Sequence, residues 1–180
     1  MIGIFLAGAF FFAVPLFALA DVDCTTLSHW ATLENGLQMN QKHVFCGEWK
    51  DNRPKGFHSR PNGINPSTVT NFTVQDSPGA AGIYTGKWSH KNYPGRSKFS
   101  TMFPDGCSMG QVLNSISYAS ANPESCPEGS PAWVKCGRNR PGPGSTEILS
   151  GYCTNNGEFF LIGFAPPKDN KINTAFPIRQ

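Results

Sequence analysis

The chain has no C-x-x-C pair, no P-loop and no internal repeat. These absences argue against a zinc knuckle, a phosphate-cradling glycine loop and a stacked repeat architecture. Long hydrophobic runs are also missing after residue 20, so nothing beyond that point matches the length of a bilayer. Acidic residues are absent from two long stretches, 77–104 and 129–146. The first carries Lys87, Lys91, Arg96 and Lys98, and the second Lys135, Arg138 and Arg140. Net charge is only +3, but cations without acids between them form surfaces that suit a polyanion.

One long apolar run is present, at the start. Residues 1–20 carry no charge and end in Ala18-Leu19-Ala20, a small-x-small pattern before Asp21. This reads as a secretory signal peptide cleaved after Ala20, although the usual basic residue is missing; the competing reading is a membrane anchor. Residues 21–180 then form one domain with a sizeable core. All six cysteines, Cys24, Cys46, Cys107, Cys126, Cys136 and Cys153, lie in it. An even count behind a signal peptide predicts three disulfides and an extracellular destination, with the pairing left open. Asn71-Phe72-Thr73 is a possible glycosylation site at Asn71.

Periodicity predicts an α+β domain in which antiparallel sheets form a cleft. Leu27, Trp30, Leu33 and Leu37 have partly helical spacing, so a short N-terminal helix is expected within 24–40. Met109, Val112, Leu113, Ile116 and Ala119 define a clear central helix, capped by Ser108 and stopped at Asn122-Pro123. Strands are expected at 67–74, 83–88, 98–103, 132–136, 147–153, 158–164 and 171–178. Asn156-Gly157 marks a hairpin between two of them. In 98–103 alternation puts Phe99, Thr101 and Phe103 on the expected core face. Lys98 and Ser100 then point together toward the cleft.

The most chemical stretch is 43–63, rich in Gly, Pro and Asn. It holds His43 and His58, fifteen residues apart. Imidazole both takes and gives a proton near neutral pH. Two imidazoles in one cleft are the minimal set for acid–base cleavage of a phosphodiester. A metal site built from His43, His58 and Glu48 is the competing reading, but the spacing fits no compact ligand motif.

Four segments, in order, resemble the bacterial-type EndoU endoribonucleases. They are His43-Val44-Phe45-Cys46-Gly47-Glu48, Gly56-Phe57-His58-Ser59, Ser100-Thr101-Met102-Phe103-Pro104 before the helix, and Ile172-Asn173-Thr174-Ala175-Phe176-Pro177. The resemblance implies RNA cleavage to a 2′,3′-cyclic phosphate, often at uridylates, without a cofactor. It implies His43 and His58 as the catalytic histidines and Lys98 as the catalytic lysine, with Arg96 and Lys91 as alternatives. It also implies that Ser100, Thr174 and Phe176 line the nucleotide pocket. The family usually has Tyr where Phe176 stands; Phe stacks on a base but donates no hydrogen bond. RNA is the expected partner of a monomer, and secretion points to a toxic role with an immunity or inhibitor protein. The alternatives are an inactive EndoU scaffold that binds RNA and a disulfide-rich extracellular interaction module.

Overall fold

The structure is a computed structural model that describes residues 22–145 and 148–179; the expected signal peptide lies outside the described residues. The first half runs β1 (Trp30–Thr32), β2 (Gln38–Asn40), α1 (Gln41–Phe45), β3 (Glu48–Lys50), β4 (Arg53–Lys55), β5 (Val69–Asp76), β6 (Tyr84–His90) and β7 (Ser97–Met102). The second runs α2 (Met109–Ala121), β8 (Pro123–Glu124), β9 (Lys135–Arg138), β10 (Leu161–Phe164), β11 (Lys171–Ile172) and β12 (Ala175–Ile178). Among the described residues the strands form sheets β1-β2-β11, β3-β4, β5-β6-β7 and β12-β10-β9-β8. Among the described strands only β2 and β11 pair in parallel. The class is α+β with mostly antiparallel sheets, as the patterning implies. No helix among the described residues is long and apolar enough to cross a membrane.

α2 forms where the periodicity places it. Ser108 accepts from Gln111 N, and Gln111 reciprocates at the Ser108 backbone, which satisfies two otherwise orphaned donors. Its buried face, Val112, Ile116 and Ala119, packs with Ile162 and Phe164 of β10 and with Val44 and Phe45 of α1. Each fully buried aliphatic side chain contributes about 1.5–3 kcal/mol. A second cluster, Phe57, Val69, Tyr84, Trp88 and Met102, lies against the sheet β5-β6-β7. The stretch from α1 to His58 contributes to both, so it forms the seam between the two cores.

Several expectations are corrected. Residues 24–40 are not a helix. Gly36 (φ +83) turns the chain, Leu33 N donates to Leu37 O, and β1 and β2 pair around that turn. The described part of the expected strand 147–153, residues 148–153, is not a strand; Leu149–Gly151 is a 3-10 turn. Cys153 N donates to Gln111 O and to Ser115 Oγ, so this limb docks on α2 instead of pairing. The turn at Asn156-Gly157 persists in left-handed conformation, but with no hairpin around it. The expected strand 171–178 splits. β11 joins β2, while β12 joins β10, with Asn173 and Thr174 between them. Around β7 Phe103 is buried as expected, but Phe99 is 63 % exposed and Met102, on the face of Lys98 and Ser100, is fully buried.

The disulfides are Cys24–Cys46, Cys107–Cys153 and Cys126–Cys136. The second spans 46 residues and ties the start of α2 to the limb that docks on it. Chain-entropy reasoning gives a closure of that length about 4 kcal/mol. Replacing Cys107 and Cys153 by alanine together is expected to lower the unfolding free energy by that order in denaturant titration. The shorter Cys126–Cys136 closure is expected to matter less.

Candidate active site

The site begins with a one-turn helix. Asn40 Oδ1 accepts from His43 N at 3.0 Å and starts α1. Val44 and Phe45 then point into the first core with no exposure, which leaves His43 on the opposite side. Gly47 (φ +67) ends the turn, and Asp51 and Asn52, both left-handed, close the β3–β4 hairpin. Asp and Asn adopt that conformation more readily than other non-glycine residues.

The hairpin returns the chain to His43 at Gly56. Phe57 N donates to His43 O and His58 N to Val44 O, both at 2.7 Å. A Cβ on Gly56 (φ +72) would overlap the His43 carbonyl. Only glycine permits this crossing. Phe57 also has positive φ, costly for an aromatic residue, and is held there by full burial against Trp88, ring centroids 5.3 Å apart. The crossing sets the two imidazole centroids 6.1 Å apart.

Their surroundings differ. His43 Nδ1 is 2.7 Å from Glu48 Oε2. Burial pushes the Glu48 carboxyl up, but the hydrogen bond and charge of His43, with help from Asn40, outweigh it and hold it below its usual value. Glu48 is therefore an ionised acceptor, and Nδ1 carries the proton. His58 is 6 % exposed and its Nδ1 lies 2.9 Å from Thr101 O. A carbonyl only accepts, so this Nδ1 also carries a proton. Burial, then the charges of Lys98 and His43, push His58 well below its usual pKa against the opposing effect of the Thr101 bond. His58 is thus neutral at pH 7, with an unprotonated Nε2.

Lys98 lies on the same face of β7 as Ser100. Its Nζ donates to Ser100 Oγ at 2.7 Å and to Phe99 O at 3.0 Å. Burial pushes it down from 10.5 to about 8. Ser100 Oγ also accepts from Trp88 Nε1 (3.1 Å) and donates to Gly56 O (2.9 Å). One proton and two lone pairs are all the hydroxyl has, and all are used. Ser100 thereby ties the lysine to the crossing.

His43, His58, Lys98, Ser100, Thr174 and Phe176 all line one cavity of about 670 Å³. Arg96 and Lys91 do not line it and are exposed. Phe176 stands 5.5 Å from His58, ring to ring. The structure adds a role for Glu48 that motif reading did not assign, and three further lining residues. Glu48 orients His43, Arg53 and Lys55 supply charge at the cavity wall, and half-exposed Trp133 meets Phe176 edge-on at 6.3 Å. Glu48 had a sequence signal, five residues after His43; Trp133 had none. The acid-free stretch 129–146 is not a free cationic patch. Arg138 pairs with Glu124, and Arg140 is buried against Phe159. A second cavity of about 720 Å³ at α2 and the 141–145 loop has no His, Lys or Arg in its lining. The run Gly106-Cys107-Ser108-Met109-Gly110 has the spacing of a nucleophile elbow, but Ser108 caps α2 and Cys107 is disulfide-bonded.

This geometry agrees with the family comparison. Residues 37–179 match the model of the bacterial EndoU nuclease. The chain belongs to the bacterial EndoU nuclease family. The match covers α1, the crossing, β7 and β12, and therefore every lining residue of the cavity. Comparison with curated proteins found no match, and comparison with solved structures found none. EndoU membership supports nuclease activity in general; no metal-sized group of three His, Cys, Asp or Glu is present among the described residues.

The depressed groups make stability depend on pH. Unfolded Lys98 holds its proton to about 10.5 and folded Lys98 to about 8. Stability rises with pH wherever the unfolded chain binds more protons, so this lysine weakens the fold below pH 8 and ceases to do so by pH 10.5. His58 acts likewise at acid pH: below its ordinary 6.5 the unfolded chain gains a proton that the folded one resists. Lys98→Met is expected to raise the unfolding free energy at pH 7, by up to about 3 kcal/mol. Denaturant titration at pH 7 and at pH 10 checks this, the gain shrinking at the higher pH.

Proposed function

We propose that the chain is a secreted endoribonuclease that cleaves RNA through the substrate's own 2′-OH. His58 Nε2 takes the 2′-OH proton as the oxygen attacks the adjacent phosphorus. The P–O5′ bond breaks, and His43 supplies the proton that the leaving 5′-oxygen needs. The products are a 2′,3′-cyclic phosphate and a 5′-hydroxyl. Proton transfer of this kind contributes about 10²–10⁴-fold per group. Lys98 faces the charge that builds on the non-bridging oxygens, a fixed cation in a partly buried site. Thr174 and the Phe176 ring bound the place of the base.

The observation that carries this reading is the opposite electrostatic setting of the two imidazoles. His58 has a carbonyl behind it and cations around it, so it stays neutral and fit to accept. His43 has an ionised carboxylate at its Nδ1, a negative charge beside the ring that gives the proton. A scaffold that only bound RNA would have no use for that difference. Three disulfides and the leader-like residues 1–20 support an oxidising destination. A toxic role, with an immunity or inhibitor protein as partner, follows from secretion joined to this chemistry.

The test is incubation of the purified protein with single-stranded RNA in EDTA, beside His43→Ala and His58→Ala. Cleavage that leaves cyclic-phosphate ends, reduced about 10²–10⁴-fold in each variant, is expected. No cleavage of any RNA overturns the enzymatic reading, and activity lost to EDTA alone replaces it with a metal-dependent one. The pH profile is a second check. Activity is expected to persist below pH 6.5, because His58 stays unprotonated there, and to fall near pH 8 as Lys98 loses its charge. Lys98→Arg, which keeps its charge, is expected to retain a larger share of its activity above pH 8 than the wild-type protein does.

A further inference from the structure

We propose that Trp49 and Tyr93 form a second RNA-binding platform, which takes the strand where it leaves the catalytic cavity. The inference rests on the reading of that cavity as the place where RNA is cut.

The two rings are stacked, with centroids 3.8 Å apart and planes 12° from parallel. His90 lies at their edges, 6.3 Å from Trp49 and 5.9 Å from Tyr93. Neither aromatic belongs to either core, and Tyr93 is 44 % exposed. They come from different segments, β3 and the loop that follows β6. That loop is fixed by turns, Tyr93 N donating to His90 O (2.8 Å) and Arg96 N to Tyr93 O (3.1 Å). A stacked pair at the surface offers an outer ring face, and every nucleobase has a face to lay on it.

Charge points to the same occupant. The hairpin brings exposed Lys50 and Arg53, and the loop brings exposed Lys91 and Arg96. The loop lies inside the acid-free stretch 77–104. The hairpin's acids are engaged, Asp51 with Lys55 and Glu48 with His43. Aromatic faces interleaved with cations are the elements of single-strand binding.

The platform continues the cavity on two elements. In the β3–β4 register Trp49 is opposite Pro54, so the two share a face, and Pro54 and Arg53 line the cavity. In the β6–β7 register Trp88 is opposite Lys98. His90, two residues beyond Trp88, is on that same face. A strand whose scissile phosphate lies at Lys98 therefore has the aromatic pair within reach of a flanking nucleotide. Recognition there is by stacking and phosphate contact, and so tolerant of sequence.

The rival account is that the stack merely clamps the loop to the hairpin. Substrate length separates the two. The ratio of kcat/KM for a ten-nucleotide RNA to that for a cleavable dinucleotide is measured in wild type, Tyr93→Ala, Tyr93→Leu and Tyr93→Phe. The platform predicts that Ala and Leu lower the ratio about tenfold, while Phe, which keeps the ring, retains it. A ratio unaltered by Ala, or restored by Leu as well as by Phe, overturns the platform. Binding of a fluorescein-labelled ten-nucleotide RNA to His58→Ala, with and without Tyr93→Ala, separates this claim from the catalytic one. Tighter binding with Tyr93 present supports the platform even where wild type cuts nothing, and equal binding overturns it even where wild type cuts well.

Discussion

The contact on which the site depends is the backbone crossing at Gly56. Two hydrogen bonds, from the amides of residues 57 and 58 to the carbonyls of residues 43 and 44, hold two turns of chain closer than any side chain would allow. Everything chemical is built around it. The crossing sets the distance between the imidazoles, and the Gly56 carbonyl anchors Ser100, which in turn holds Lys98. Strain at Phe57 is the cost, and burial of its ring in the second core offsets it. Placing the crossing at the seam between two cores makes both of them restrain it.

The same geometry gives chemically identical side chains different surroundings. One imidazole faces a carboxylate and the other a peptide carbonyl, and the second also shares its space with a buried ammonium. The last of these arrangements works against stability. A lysine lowered to about 8 and a histidine resisting its proton are both charges the fold accommodates poorly at neutral pH. Such groups gathered in one cavity mark a functional site more than a structural one.

Much of this was legible in the residues. The spacing of α2 showed its periodicity, cap and stop, because a helix packed on one face writes its pattern locally. The histidine pair, the four EndoU motifs and the lysine just before the third of them located six residues of the cavity's lining, His43, His58, Lys98, Ser100, Thr174 and Phe176, since motifs at a cavity repeat whatever the surrounding fold. What was not legible depended on long-range contacts. The 24–40 segment has helical spacing, yet Gly36 and pairing with β11 make it strands. In β7 hydrophobicity points Phe99 inward, yet it is 63 % exposed, while Phe103 just beyond the strand is buried as expected. The tighter claim on the inner face came from Met102 and from the Ser100 hydroxyl, whose three partners lie in other segments. Trp133 carried no local signal because only the folding of its loop brings it to Phe176. The disulfide pairing was likewise hidden, as spacing alone does not choose among partners.

The division of labour between the imidazoles is the central claim, and nitrogen-15 NMR of the histidine side chains reads it directly in the resting protein. The account predicts that His58 stays neutral through pH 6.5, with its proton on Nδ1 and a bare Nε2. A His58 that titrates at or above 6.5, or that carries its proton on Nε2, would contradict it.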